Sequence, residues 1–158
     1  MSSSGPKAGD PVPAFDLPTD DGGRVSSTAL AGQPFVIYFY PKDDTSGCTK
    51  EALGFTEAYP KFKAKGVEVV GVSKDDAKSH KKFRDKHGLN FPLATDADGK
   101  VVEAFGSWVE KSMYGKKYMG IERSTFLVDG QGRIVEAWRG VKVPGHVEAV
   151  LAAAEQAR

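Results

Sequence analysis

The chain has 158 residues, with 22 Lys and Arg against 21 Asp and Glu for a formal charge of +1. That length holds one domain, 1–158, with a core of its own, and the near-even balance excludes bulk attraction toward nucleic acid or anionic lipid. The longest aliphatic and aromatic run is Phe35 to Tyr40, far short of the ~20 residues that cross a bilayer, so no membrane segment is expected.

Residues 1–24 are rich in Gly, Pro, Asp and Ser, with Val12, Phe15 and Leu17 as their only large apolar anchors. They read as an extended surface arm pinned by Phe15. The start, Met1 to Lys7, carries no apolar stretch of the secretory kind, so the expected compartment is the cytoplasm, which also suits a lone free thiol. Phe35 to Tyr40 is continuous rather than alternating, as in a central parallel strand buried on both faces, and Pro41 ends it. From Ser46 to Lys65, Ala52, Leu53, Phe55, Tyr59 and Phe62 keep helical spacing, with a kink expected at Pro60 and a stop at Gly66. Val67 to Ser73 is a strand. Asp75-Asp76 then opens an amphipathic helix that runs to His87 before Gly88, and its alternating Lys78, His80, Lys81, Lys82, Arg84 and Lys86 read as a solvated face.

Phe91 to Thr95 reads as a short strand, and Lys100 to Phe105 as one or two helical turns. Residues 106–120 carry Trp108, Met113, Tyr114, Tyr118 and Met119 without periodicity and read as a long loop whose aromatic side chains pack. Ser124 to Asp129 and Arg133 to Arg139 form a hairpin through Gly130-Gln131-Gly132. Val147, Val150, Leu151 and Ala154 give a closing helix with one buried stripe. Strands alternating with helices early and a hairpin late make an α/β fold, a central mixed β-sheet flanked by helices on both faces.

In such sheets ligands gather beyond the carboxyl ends of the strands. There stands Cys48, the only cysteine, in Pro41-Lys42-Asp43-Asp44-Thr45-Ser46-Gly47-Cys48-Thr49 at the start of a helix. An intramolecular disulfide is therefore impossible, and the three histidines His80, His87 and His146 are too dispersed to build a metal site with one thiol. The polar neighbours Asp44, Thr45 and Ser46 argue against burial of the sulfur in an apolar core. An ordinary thiol, with a pKa of ~8.5, is only ~3 % thiolate at neutral pH, so a useful nucleophile needs about 2.7 kcal/mol of stabilisation of its charged form. An exposed helix N-terminus supplies ~0.3–1 kcal/mol of that. Lys42 and Lys50 are near in sequence but flexible and screened. Arg123, entering the strand at Ser124, offers a rigid guanidinium fork able to touch sulfur and substrate together. Taken alone, Arg123 reads rather as a surface ion pair with Glu122 or Glu103. The Thr45 hydroxyl suits both capping the helix and bonding a small polar ligand.

Pro41-x3-Thr45-x2-Cys48, with Arg123 in Arg-Ser-Thr-Phe-Leu-Val-Asp downstream, resembles the peroxiredoxin active site. Phe-Tyr-Pro-Lys-Asp-Asp-Thr-Ser-Gly-Cys-Thr-Lys-Glu-Ala resembles in particular its bacterioferritin comigratory protein, or peroxiredoxin Q, branch. The likeness runs from about Lys7 to Ala154 and includes the arm Gly9-Asp10-x-Val12-Pro13-x-Phe15-x-Leu17. It implies a thioredoxin-like fold, with Cys48 as peroxidatic nucleophile, Thr45 and Arg123 as the groups that bind peroxide and activate sulfur, and Pro41 as the fourth, substrate-side member. The implied reaction is attack of the Cys48 thiolate on the O–O bond of hydrogen peroxide or an organic hydroperoxide. Water or an alcohol leaves, a sulfenic acid remains, and no cofactor or metal takes part. Arg123 would steady charge on the departing oxygen.

Members of that branch often carry a resolving cysteine five residues after the nucleophile or in the following helix. Leu53 and Arg84 hold those positions here. The resemblance therefore implies a one-cysteine cycle recycled by thioredoxin, glutaredoxin or a small thiol, in a monomer that oxidation can join through a Cys48–Cys48 disulfide. An alternative reading is a peroxide sensor whose oxidised Cys48 binds a partner with little turnover. A thioredoxin-type disulfide reductase fails because Cys48-Thr49-Lys50-Glu51 lacks the second cysteine.

Overall fold

The computed structural model describes residues 5–156. Along the chain lie β1 (Asp16–Pro18), β2 (Arg24–Ser26), β3 (Phe35–Phe39), α1 (Ser46–Ala64), β4 (Glu68–Ser73), α2 (Ala77–His87) and β5 (Leu93–Thr95). They are followed by α3 (Lys100–Ala104), β6 (Trp108–Met113), β7 (Lys116–Ile121), β8 (Ser124–Val128), β9 (Ile134–Arg139) and α4 (His146–Gln156). The main sheet runs β5-β4-β3-β8-β9, with β3, β4 and β5 parallel and β8 and β9 antiparallel. The mixed α/β sheet is the thioredoxin-like arrangement.

The continuous run of β3 is buried on both sides because its alternate residues feed two cores. Val36, Tyr38 and Tyr40 pack with Ala52, Phe55 and Phe62 of α1, Phe83 of α2, and Val147 and Val150 of α4. Phe35, Ile37 and Phe39 face Phe15, Val102, Phe105 and Phe126. Phe15 pins the arm as expected, its ring edge-on to Phe35 at 5.8 Å. The arm is not wholly extended: Leu17 and Val25 pair across the β1–β2 hairpin. Its first four residues lie outside those described.

Helix α1 passes through Pro60 unbroken. Proline has no N–H for the carbonyl four residues back, and Asn90 Nδ2 donates to that Thr56 carbonyl instead, at 3.1 Å. Asp76 caps α2 by accepting from Ser79 N, and Gly88 closes it in the left-handed region at φ 68°.

Two expectations are corrected. Residues 106–120 are not a loop but the hairpin β6–β7, whose two-residue turn, Tyr114-Gly115, has both φ values positive. The hairpin stands apart from the main sheet, so its strands lack an inside-outside alternation. Tyr114 is 99 % exposed rather than packed. The basic run on α2 is a solvated face at Lys78, Lys81, Lys82 and Lys86, but helical periodicity turns His80 and Arg84 inward. His80 is fully buried. Arg84 grips Asp20 through Nε (2.5 Å) and Nη2 (2.8 Å) and donates to the Leu89 and Phe91 carbonyls.

Asp20 is 3 % exposed and Arg84 24 %, so deleting one partner strands the other charge. Asp20→Ala is expected to lower the unfolding free energy by about 3 kcal/mol in urea denaturation; a loss of a few tenths would mean that the pair is a surface contact in its energetics.

Candidate active site

The β3–β8 register pairs Phe39 with Ser124. Arg123, one residue earlier, therefore stands at the carboxyl end of β3, beside the loop that leads into α1. Its carbonyl accepts from Val141 N at 3.0 Å. Pro41 is half-buried at the head of that loop, directly after the last sheet bond, Tyr40 N to the Val72 carbonyl at 3.1 Å.

Cys48 lies in the first turn of α1, where no acidic residue opposes the positive end of the helix. Arg123 Nη2 donates to its Sγ at 3.3 Å. The two predicted residues, 75 apart in sequence, are thus brought together. Gly47 makes room, since a Cβ there would stand 3.1 Å from Arg123 Nη2. Contrary to the expectation from its polar neighbours, Cys48 is only 1 % exposed and belongs to the core cluster with Tyr38 and Phe55. Asp44, Thr45 and Ser46 remain exposed around it. The polar residues of the loop face solvent while Cys48 itself is buried in the core.

Thr45 occupies the N-cap of α1 but makes no side-chain cap bond. Its hydroxyl donates to the Lys42 carbonyl at 2.9 Å, closing the loop on itself. The capping expectation is therefore corrected.

Arg123 pairs with neither Glu122 nor Glu103. Its Nη1 donates at 2.7 Å to Oε1 of Glu51, which is fully buried. One guanidinium thus bridges sulfur and carboxylate. Burial works against the Arg123 charge, and Glu51 and Cys48 outweigh it, so the group stays firmly protonated. Glu51 was missed in the sequence, although its place three residues after Cys48 puts both on one face of α1. Lys111 of β6 also meets this field: burial first, and then the Arg123 charge, hold it below the usual lysine range.

Burial pushes Glu51 up from an ordinary 4.5 to about 7, with Arg123 opposing. Burial, helped by Arg123, pushes His146 down from 6.5 to about 4, while its Nε2 meets Thr125 Oγ1 at 2.8 Å. A raised carboxyl gives stability that is full below 4.5 and lost as pH rises through 7. A lowered imidazole gives stability that is full above 6.5 and lost as pH falls through 4. Each amounts to roughly 3 kcal/mol, and their slopes oppose between pH 4.5 and 6.5. Glu51→Gln removes one of them, so the unfolding free energy of the variant should climb by about 2 kcal/mol across that window while the wild type stays nearly flat. Parallel pH series of urea melts check this, and a flat variant would remove Glu51 from the balance.

Residues 8–137 match the AhpC/TSA family. The chain is 51 % identical over 145 residues to peroxiredoxin Bcp of Xanthomonas campestris, covering 90 % of this chain and 91 % of the relative. A Xylella fastidiosa PrxQ structure superposes with a TM-score of 0.92 at 41 % identity, over 98 % of each chain. A Xanthomonas campestris bacterioferritin comigratory protein, solved as a trapped intermediate/ligand complex in the context of its alkyl peroxide reduction, superposes with a TM-score of 0.86 at 48 % identity, over 90 % of each. With a thiol held against an arginine at a helix start, and with these likenesses spanning nearly its whole length, the chain belongs to the AhpC/TSA family as a thiol peroxidase of the Bcp, or peroxiredoxin Q, branch.

Proposed function

We propose that Cys48 is the peroxidatic nucleophile, that Arg123 activates it and binds peroxide, and that Thr45 and Pro41 shape the substrate side of the loop. One observation carries the reading: the Arg123 guanidinium lies 3.3 Å from a buried sulfur and is itself anchored at 2.7 Å by Glu51. A charge-assisted bond from a fixed cation stabilises thiolate over thiol, and the same fork can neutralise charge on the leaving oxygen. The thiolate attacks one peroxide oxygen and the O–O bond breaks. The departing oxygen takes a proton and leaves as water or alcohol, and Cys48 becomes a sulfenic acid. Hydrogen peroxide and alkyl hydroperoxides are the substrates, the latter supported by the relative associated with alkyl peroxide reduction.

With one cysteine in the chain, the sulfenate is resolved by an external thiol (thioredoxin, glutaredoxin or a small thiol) through a mixed disulfide. The working form is a monomeric single domain in the cytoplasm, a setting in which a free thiol survives. Among the described residues no helix is long and apolar enough to cross a membrane. The sensor reading keeps one argument in its favour: Cys48 is 1 % exposed and has no partner cysteine, so a sulfenate formed there would be long-lived.

Intact-mass measurement after stoichiometric peroxide should find one added oxygen on the wild type and none on Cys48→Ser; equal oxidation of both would place the chemistry elsewhere. Arg123→Met should slow peroxide consumption about a hundredfold in stopped-flow, and a rate within twofold of wild type would remove Arg123 from its role. Turnover with a panel of reductants separates enzyme from sensor: sustained consumption supports the enzyme, and a single equivalent supports the sensor.

A further inference from the structure

A second buried polar cluster lies outside the set of Cys48, Arg123 and Glu51. His80 is fully buried, and Asp43, five residues before Cys48, is buried with it. Asp43 Oδ1 accepts from the Tyr40 hydroxyl at 2.6 Å. Its Oδ2 accepts from Ser79 Oγ at 2.8 Å and meets His80 Nδ1 at 2.8 Å. The other ring nitrogen, Nε2, meets the Ala94 carbonyl at 3.0 Å. The Asp43 amide donates to Asp75 Oδ2 at 2.8 Å.

Counting protons fixes the state of the ring. The Ala94 carbonyl can only accept, so Nε2 carries a proton, and the proton shared between Nδ1 and Asp43 Oδ2 is assigned to the imidazole as the more basic partner. Tyr40 keeps its proton, because burial and then the charges of Tyr38 and Asp43 hold it well above the usual phenol range. Both His80 nitrogens therefore donate, which only the imidazolium does. A buried ion pair is costly unless its remaining lone pairs and N–H groups are used. Each is used here. The next loop residue, Asp44, sits in the left-handed region at φ 61° and is held by Lys86 Nζ at 2.8 Å and His87 Nε2 at 2.9 Å. Helix α2 thus grips two successive residues of the loop that delivers Thr45 and Cys48.

The geometry points to His80 as a positioning residue for the Cys48 reaction: acting through Asp43, its imidazolium ties the catalytic loop to α2 and β5. The inference rests on the peroxidase reading of Cys48. Two titratable groups face the ring, Asp43 from the loop and Tyr40 from the end of β3. Asp75 and Asp76 stand one contact further out, on the Asp43 and Ser79 amides, and β5 offers only the Ala94 carbonyl. Removing the Asp43 carboxylate leaves Nδ1 without its acceptor and frees the loop that carries Cys48 from this hold on α2.

Stopped-flow oxidation by hydrogen peroxide at neutral pH, with nitrogen-edited NMR of the His80 ring, decides it. Wild type should show two ring N–H groups. Asp43→Ala should react about tenfold more slowly. Asp43→Asn, whose amide can donate to a neutral imidazole in the same place, should recover the rate to within about threefold. A single ring N–H in wild type, an Asp43→Ala rate equal to wild type, or an Asp43→Asn rate as low as that of Asp43→Ala would each overturn the proposal. If Asp43→Ala does not fold, the ring count and Asp43→Asn still decide. A wild type that fails to react with peroxide would instead overturn the reading of Cys48 itself.

Discussion

One cation shared by two buried acids governs this structure. Cys48 and Glu51 are both out of water, one helical turn apart, and the Arg123 guanidinium reaches both. An isolated charge of either kind at that depth would be expelled by protonation. Glu51 shows the competition, since even with Arg123 at 2.7 Å its carboxyl is pushed up to about 7. An ionised Glu51 holds the guanidinium in place and competes with the sulfur for its charge, so in the proposed mechanism anchoring and activation oppose each other in one residue.

The rest of the fold supplies the conditions for that sharing. Antiparallel pairing of β3 with β8 places Arg123 at the carboxyl end of β3, and a slip of one residue would turn its side chain to the other face. The absence of a side chain at Gly47 lets Nη2 approach the first turn of α1. On the loop side, Asp43 and Asp44 are drawn into α2, so the stretch between β3 and α1 is held at its middle as well as its ends. Rigidity matters because a nucleophile a fraction of an ångström out of line loses much of the benefit of being prealigned.

Much of this was legible in the residues, for physical reasons that also explain the gaps. Elements that bury a face declare it: β3 by an unbroken apolar run, α1 and α4 by helical spacing, β8–β9 by the Gly130-Gln131-Gly132 turn. Hairpin β6–β7 buries little on either side, and Tyr114 fills a left-handed turn position where Asn, Asp or Gly is the usual signal. It therefore left no trace. Cys48 was visible because a lone thiol at a helix start is uncommon, and Arg123 because the Pro41-x3-Thr45-x2-Cys48 pattern with Arg123 downstream resembles a known site. Glu51, Asp43 and His80 were not, because charged residues on helices and loops are ordinarily solvated. Only tertiary packing shows that these three point inward. Helix α2 is the clearest case, with identical residue types alternating between a wet face, Lys81 and Lys82, and a dry one, His80 and Arg84.

Arg84 connects this packing to the catalytic cycle. Its position is one of the two at which members of the branch often carry a resolving cysteine. Here the same position donates four hydrogen bonds, two to Asp20 and two to the carbonyls that follow the helix. With Asp43 and Asp44 gripping the other side, α2 is tied both to the arm and to the catalytic loop. No thiol remains in the chain to reward its movement. Cys48 is almost wholly covered, at 1 % exposure. In the proposed cycle, reduction by an external thiol would therefore depend less on the chemistry of exchange than on entry, either of a reductant small enough to follow the path of the peroxide or of one able to displace the loop held by Asp43.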